Sequence, residues 1–217
     1  MMCPMTPALT STGSRFLSAG SAALTLLELP EVTDRWGRPS VLAGLSVGDL
    51  AAHLARQVLL VEAYLDAPDP HEDKLITAEA WYAALEGTAD PDSQLNVGVR
   101  ERSHAGAAAG PRVVAGEVRD CLTRLATRLG NEPLERQVRA YQGETMLLKD
   151  YLRTRSVELA VHNEDLALSV GAEPPETGVS EAVDVLVGAA RLRHGDAAVL
   201  RALTRRERDT VGALHVV

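Results

Sequence analysis

Apolar residues recur through most of the chain at the three-and-four spacing of amphipathic helices, and Pro or Gly marks the helix ends. Between residues 10 and 171 this pattern predicts four long helices, with two short helices in the connection between the second and the third. Ser46 and Asp49 carry the signature of a capping box at the start of the second long helix. The predicted long helices are Thr10–Leu29, Ser46–Leu65, Arg112–Leu129 and Leu148–Val170, and the short ones are Lys74–Leu85 and Ser93–Ala108.

The length of the second connection favours a bundle with a crossover over a simple up-and-down path. We therefore expect a mainly all-α protein in which residues 10–171 form an antiparallel four-helix bundle with a long crossover after helix two. Residues 172–217 are expected to form a short C-terminal α/β extension. Its predicted elements are helices near Ser180–Arg193 and Ala197–Leu203 and a short strand at Leu214–Val217.

The fourth long helix carries a stripe of polar residues in the middle of its apolar arc, so the stripe is expected to face the core. Burial of an unpaired carboxylate costs several kcal/mol, so Glu158 needs a partner. His162 lies one turn away on the same face and can supply it. Either the pair chelates a metal ion, or it joins Arg155 or Asp165 in a hydrogen-bonded network. The stripe comprises Tyr151, Arg155, Glu158, His162, Asp165 and Ser169.

The second long helix adds a further candidate ligand. Its apolar arc is nearly continuous, and His53 and Gln57 are the polar residues within it. His53 can therefore meet Glu158 and His162 inside the bundle. Two His and one carboxylate, with a coordination position left open, is the pattern of a catalytic metal site rather than a closed structural one. This spacing predicts one divalent ion held by His53, Glu158 and His162.

Composition narrows the class of protein. The formal net charge of −8 leaves no broad basic face, so we do not expect nucleic acid as a partner. Cys3 and Cys121 are too few for a disulfide framework and indicate reduced thiols in a cytoplasm. The apolar run Phe16–Leu29 is too short to span a membrane and lacks a cleavage site, so it is interpreted as the first bundle helix.

Two stretches together resemble a known family. They are LSVGDLAAHLARQ (Leu45–Gln57) and YLRTRSVELAVHNEDLALSVG (Tyr151–Gly171), and they are similar to the mycothiol-dependent maleylpyruvate isomerase family of the DinB-like superfamily. The resemblance covers about Thr10–Gly171, and the tail Arg191–Asp209 also looks like relatives of this family. It implies a four-helix bundle, the metal ligands His53, Glu158 and His162, and the thiol mycothiol bound near the metal.

The resemblance also implies a source. The chain has 20 Arg and 2 Lys with abundant Ala, a composition compatible with an actinobacterium, where mycothiol is found.

The expected function is that of a metalloenzyme. The ion, zinc or alternatively nickel, would activate a thiol for transfer or isomerisation on a small electrophilic substrate. No catalytic side chain is assigned, and Asp165 and Arg155 are candidates for residues that position a ligand. The alternatives are a hydrolase that uses bound water and a non-catalytic metal-binding or ligand-binding bundle. We expect a monomer or a homodimer.

Overall fold

A computed structural model describes residues 11–88, 90–140, 143–205, 207 and 212–216. The predicted start of the first helix at Thr10 and the tail cysteine, Cys3, lie outside these residues. The helices are α1 (Ser11–Leu27), α2 (Pro30–Asp34), α3 (Val47–Asp66), α4 (Ala78–Ala84), α5 (Gln94–Ala107), α6 (Pro111–Arg128), α7 (Leu148–Val170), α8 (Val179–His194) and α9 (Asp196–Thr204), and the strands are β1 (Gln137–Arg139) and β2 (Thr145–Leu147).

The four predicted long helices form a bundle and correspond to α1, α3, α6 and α7. Helices α1 and α3 each pack against both α6 and α7. The core between them consists mainly of Ala, Leu and Val, with one fully buried phenylalanine, Phe16. Short aliphatic side chains suit close helix packing, and the prediction of a mainly all-α bundle is confirmed.

The start of α3 is fixed by the predicted capping box. Ser46 Oγ accepts a hydrogen bond from the backbone N–H of Asp49 at 3.0 Å, and Asp49 Oδ2 accepts one from Ser46 N–H at 2.9 Å. The indole ring of Trp36 lies against Gly48, where a Cβ atom would come within 2.7 Å of it. Only glycine fits there, and this contact sets how deeply the first turns of α3 lie in the bundle.

The crossover carries α4 to the beginning of α7. Thr77 caps α4 by accepting a hydrogen bond from the N–H of Ala80 at 3.2 Å. Asp150, in the first turn of α7, accepts one from the N–H of Ala78 at 3.3 Å. Both ends of this contact are buried, so α4 is tied to α7, and the aromatic pair Trp81 and Tyr82 is turned inward.

Three elements of the structure, one short helix and two strands, differ from the sequence prediction. Pro30 was expected to end the first helix, but it begins the separate short helix α2. Proline is tolerated there because a residue in the first turn donates no hydrogen bond within the helix. Strands β1 and β2 were not predicted. They pair antiparallel over three residues each, with Val138 opposite Met146. Strands of this length are too short to show an alternating pattern.

The C-terminal extension packs onto the bundle through α8, which contacts α4 and α7, and α9 lies against α8. Arg193 donates hydrogen bonds to the backbone carbonyls of Tyr82, Ala83 and Leu85, which fastens α8 to the end of α4. The expected strand at Leu214–Val217 is absent from residues 212–216, and Val217 lies outside the described residues.

The division of the chain after residue 171 stays a prediction.

Among the described residues, no helix combines the length and the apolar character needed to cross a membrane.

Candidate metal centre

The three predicted metal ligands meet between α3 and α7. His53, Glu158 and His162 each offer one ligand atom, and these atoms lie within 4.8 Å of one another. His162 Nε2 is 3.6 Å from Glu158 Oε2. The rings of His53 and His162 stand nearly perpendicular, with their centres 4.6 Å apart. The fold thus brings together residues that are more than 100 positions apart in the sequence.

This donor set fits a divalent ion of the zinc type. Donor atoms around a tetrahedral zinc lie about 3.4 Å apart, given ligand bonds of about 2.1 Å. The 3.6 Å between His162 and Glu158 is close to that separation. Small side-chain rotations therefore suffice to place all three donors around one ion. Three protein ligands leave a fourth position open to a small molecule from the cavity.

The two oxygens of Glu158 have different partners. The hydroxyl of Tyr82 donates to Glu158 Oε1 at 2.7 Å, and it also approaches the backbone carbonyl of Thr154 at 3.1 Å. The other oxygen, Oε2, faces His162. Burial alone raises the pKa of Glu158, but the hydrogen bond with His162 and the charge of Arg155 outweigh it and hold that pKa well below its usual range. Glu158 is therefore an anion, as a metal ligand must be.

His162 is oriented by Asp165. Its Nδ1 lies 3.0 Å from Asp165 Oδ2, which directs Nε2 toward Glu158. Burial lowers the pKa of His162, but hydrogen bonds with Asp165 and Glu158 outweigh burial and raise it to about 9. Without an ion the ring is thus an imidazolium between two carboxylates. The structure thus pairs Asp165, a candidate for a residue that positions a ligand, with His162.

His53 is the neutral histidine of the three predicted ligands. Burial, followed by the charge of His162, lowers its pKa to about 3. Gln57 Nε2 lies 3.2 Å from His53 Nε2, while Gln57 Oε1 accepts a hydrogen bond from Arg155 Nη1 at 2.6 Å. Because the guanidinium can only donate, it fixes the amide with its oxygen toward Arg155 and its NH₂ group toward His53. Arg155 therefore acts on the site through Gln57.

Arg155 is itself held by aromatic rings. Its guanidinium carbon lies 5.2 Å from the centre of the Tyr151 ring and 5.9 Å from that of the Trp81 ring. These cation–π contacts stabilise a charge that is withdrawn from water. The buried polar stripe of α7 is thus a connected network in which each charge has a partner.

A cavity of about 600 Å³ opens on the three ligands. Its wall is largely apolar and includes Leu60, Leu95 and Val161, and the rings of Tyr64 and Trp81 add aromatic surface. Four arginines also line it: Arg56, Arg100, Arg102 and Arg155. Most of these residues come from the crossover and from α3, which sequence periodicity could not place relative to α7.

Tyr82 and Trp81 are the functional residues that sequence reasoning missed. The short helix carrying them was predicted, but its side chains were given no role. One signal was available, because the chain has only two Trp, four Tyr and one Phe. Four of those seven rings lie at the site: Tyr64, Trp81, Tyr82 and Tyr151.

Cys121 is placed where it cannot act as a nucleophile. It is fully buried between α6 and α3, with its sulfur 3.8 Å from the carbonyl oxygen of Val58. Burial, followed by the nearby charge of Glu62, raises the pKa of the Cys121 thiol to about 12. The thiolate, which is the reactive form, is therefore scarce at neutral pH.

Comparison with known proteins gives one match. The family model described as the mycothiol maleylpyruvate isomerase N-terminal domain matches residues 17–167, well over half of the chain. The family predicted from the two sequence stretches is thereby confirmed. No curated protein and no solved structure matches the chain.

Proposed function

Since the chain belongs to the mycothiol maleylpyruvate isomerase N-terminal domain family, we propose that it is a divalent-metal-dependent enzyme with a low-molecular-weight thiol as its cosubstrate. Mycothiol is the proposed thiol, because the family description names it. The reaction is transfer or isomerisation on a small electrophilic substrate. Zinc is the proposed ion, with nickel as the alternative for an imidazole-rich site.

The observation that carries this proposal is the convergence of His53, Glu158 and His162 at the end of a cavity. An ion held there supplies positive charge that lowers the pKa of a thiol at its open position and stabilises negative charge on the substrate. Within the described residues the cysteine of the chain is buried and protonated. The proposed nucleophilic sulfur is therefore that of the thiol cosubstrate rather than that of Cys121.

The residues around the ligands have separate roles. Asp165 accepts a hydrogen bond from His162 Nδ1–H and so orients the ring so that Nε2 would bind the ion. Tyr82 occupies Glu158 Oε1 and leaves Oε2 to bind. Arg155 holds the amide of Gln57, and that amide donates a hydrogen bond to the backbone carbonyl of His53 at 3.1 Å. The aromatic and aliphatic cavity wall limits water around the thiolate, which strengthens its interaction with the positive charges.

The test combines metal analysis with a conjugation assay. Purified protein should contain about one divalent ion per chain, and it should accelerate the reaction of mycothiol with a chromogenic aryl halide. The comparison arms are other thiols, water alone, and the variant Glu158→Gln, which keeps the shape of the side chain. Loss of turnover in that variant and after chelation is expected.

Two outcomes contradict the proposal. Equal turnover without any thiol identifies a metal-dependent hydrolase that uses water. Full metal occupancy with no turnover in any arm identifies a binding protein rather than an enzyme.

A further inference from the structure

The cavity next to the metal ligands has a basic wall although the chain is acidic. The net charge of the protein is −8, yet the described residues that line this cavity include four arginines against two carboxylates. Both carboxylates are already engaged: Glu158 with Tyr82 and His162, and Asp165 with His162. The cavity therefore has positive charge in excess of what its own acidic residues neutralise.

Arg56 is the lining arginine beside His53 whose guanidinium donors are available to a ligand. It makes no hydrogen bond and no ion pair with the residues that the structure describes, although it is only partly exposed. Two other lining arginines are engaged, since Arg155 donates to Gln57 and Arg100 to the carbonyl oxygen of Pro91. On the far side of α3, by contrast, Glu62 is paired with Arg124.

The position of Arg56 relates it to the reacting centre. It lies three residues after His53 on α3, which is about 4.5 Å along the helix axis. Both residues line the same cavity. A ligand that reaches the open coordination position can therefore place an anionic group on Arg56 at the same time. Arginine suits this role because its planar fork of donors matches a carboxylate in two parallel hydrogen bonds.

The remainder of the wall recognises apolar surface. Leu60 and Leu95 are aliphatic, and Tyr64, Trp81 and Tyr151 present aromatic rings. A volume of about 600 Å³ lies within the roughly 300–1,000 Å³ typical of pockets that hold drug-sized ligands. A small polar diacid would leave most of this surface in contact with water. An aromatic or branched aliphatic body covers it.

We infer that the substrate partner of the thiol is a hydrophobic carboxylate, with its acid group on Arg56 and its apolar body against the ring-lined wall. The reaction of this substrate with a thiol rests on the proposed function. Its binding to the cavity does not, and can be tested without a thiol. Arg56 is thus a specificity-determining residue that selects an anionic group near the electrophilic carbon. The electrophilic carbon then lies beside the metal ligands.

Binding of three probes to the full chain tests this inference. The probes are trans-cinnamate, its neutral amide cinnamamide, and fumarate, which keeps the unsaturated acid but lacks the ring. Titration calorimetry on the wild type should give the tightest binding for cinnamate. In Arg56→Gln we expect cinnamate to lose about tenfold or more in affinity, the usual worth of a charged hydrogen bond. Cinnamamide should be unchanged.

Three controls separate the charge of Arg56 from other effects. Arg112→Gln removes a positive charge from the exposed first turn of α6, outside the cavity, and should leave all three affinities unchanged. Arg56→Lys should keep part of the preference for the acid over the amide. Raised salt should weaken cinnamate binding in the wild type but not in Arg56→Gln.

The same titrations are repeated with zinc bound and after chelation. A preference for cinnamate that survives Arg56→Gln and disappears on chelation shows that the carboxylate binds the metal, and it overturns the inference. Equal affinity of the wild type for fumarate and cinnamate overturns the hydrophobic part. If circular dichroism shows that Arg56→Gln is unfolded, Arg56→Lys takes its place as the test variant. The wild type should still bind cinnamate more tightly than cinnamamide, and raised salt should reduce that preference. Failure of the mycothiol assay contradicts the proposed function alone, because no thiol is present here.

Discussion

Helix α3 packs against α6 on one side and α7 on the other, and the two interfaces contain different chemistry. Toward α6 the buried residues are apolar on both helices, as at Val58 and Leu125. The charges there lie at the rim, where Arg124 pairs with Glu62 in contact with water. Toward α7 the polar and charged side chains lie in the interior instead, and they include His53, Glu158 and His162.

The apolar α3–α6 interface shows what the bundle needs in order to fold, and the charged α3–α7 interface shows what folding does not require. The α3–α6 contact shows that Ala, Leu and Val can fill the bundle without buried charge. Buried ion pairs contribute little to stability, because desolvation offsets their attraction. The charged network between α3 and α7 is therefore not required for packing, and the proposed metal ion would account for it.

The largest expected effect comes from removing a ligand on the α7 side. His53→Ala, Glu158→Ala and His162→Ala should each weaken zinc binding by more than about 100-fold, since changes in residues behind the ligands already cost 10–100-fold. Competition with a chelating dye measures the affinity. If all three variants bound zinc as tightly as the wild type, the ligand assignment would be wrong.

Truncation of a buried side chain on the α6 side should lower stability and leave zinc affinity unchanged. Leu125→Ala removes a fully buried side chain and should lower the free energy of unfolding by about 2–5 kcal/mol, because a cavity remains. Denaturant unfolding measures this loss. Zinc affinity of the folded variant should stay at the wild-type value, and a parallel loss of zinc would show that the two interfaces are not independent.

Asp165→Asn tests the residue behind His162. The neutral amide cannot stabilise the ring as the carboxylate does, so zinc affinity should fall by about 10–100-fold. Glu164→Gln is the matched control, because Glu164 is the exposed neighbour on the same turn and carries the same charge. Equal losses in the two variants would indicate a general charge effect rather than orientation of the ligand.

The pH dependence of the site should follow His162. Its pKa is raised to about 9, so below that pH a proton competes with the ion for the ring. Zinc affinity should therefore fall about tenfold for each unit by which the pH is lowered below 9. His53 adds no such dependence above about pH 4, because its pKa of about 3 keeps it neutral there. Calorimetry in buffers of different ionisation enthalpy should count close to one proton released per ion at neutral pH.

The metal-free protein should respond to pH in the opposite direction. A group whose pKa is raised on folding contributes stability that is complete below its unfolded value, here 6.5, and lost as pH passes the folded value of about 9. Stability without zinc should therefore decline between these values while zinc affinity rises. A metal-free stability that is flat across this range would contradict the imidazolium assignment.

Tyr82→Phe should have the smallest effect. It removes one donor from the Glu158 carboxylate, and a hydrogen bond to a charged group is worth about 1.5–3 kcal/mol. Because this bond is made both with and without the ion, only part of that worth should be lost in zinc affinity, which we expect to fall by less than about tenfold. Tyr64→Phe is the control, because Tyr64 lines the cavity and contacts the ring of Tyr151 without bonding Glu158. A loss for Tyr82→Phe as large as that for a ligand variant would mean that Tyr82 itself binds the ion.

The sequence was most informative where the physics is local. Helix periodicity predicted the four bundle helices, and the capping box predicted the start of α3 at Ser46. The spacing of Glu158 and His162 predicted that they are neighbours, because residues four apart on a helix share a face. The prediction of His53 as their partner depended on matching two apolar arcs, each interrupted by polar residues. Its role as a ligand stays a prediction.

Some of the polar pattern of α7 was misleading. At 100° per residue, Ser156, Asn163 and Ala167 lie on the face of α7 opposite the inward stripe, yet all three are buried. Helix α7 packs against α1 and α8 on that side, in addition to α3. A helix surrounded by others has no clear outward face, so the hydrophobic pattern alone cannot decide which polar residues face a ligand.

The sequence by itself thus determined the helices, their caps and the pairing of residues one turn apart, since each depends on interactions within a few positions. Only the tertiary structure decided what surrounds the site. Tyr82 reaches Glu158 because α4 is tied to the first turn of α7 through Asp150. Arg56 lines a cavity because the crossover passes over α3. These arrangements depend on contacts between residues far apart in the chain, which no local periodicity records.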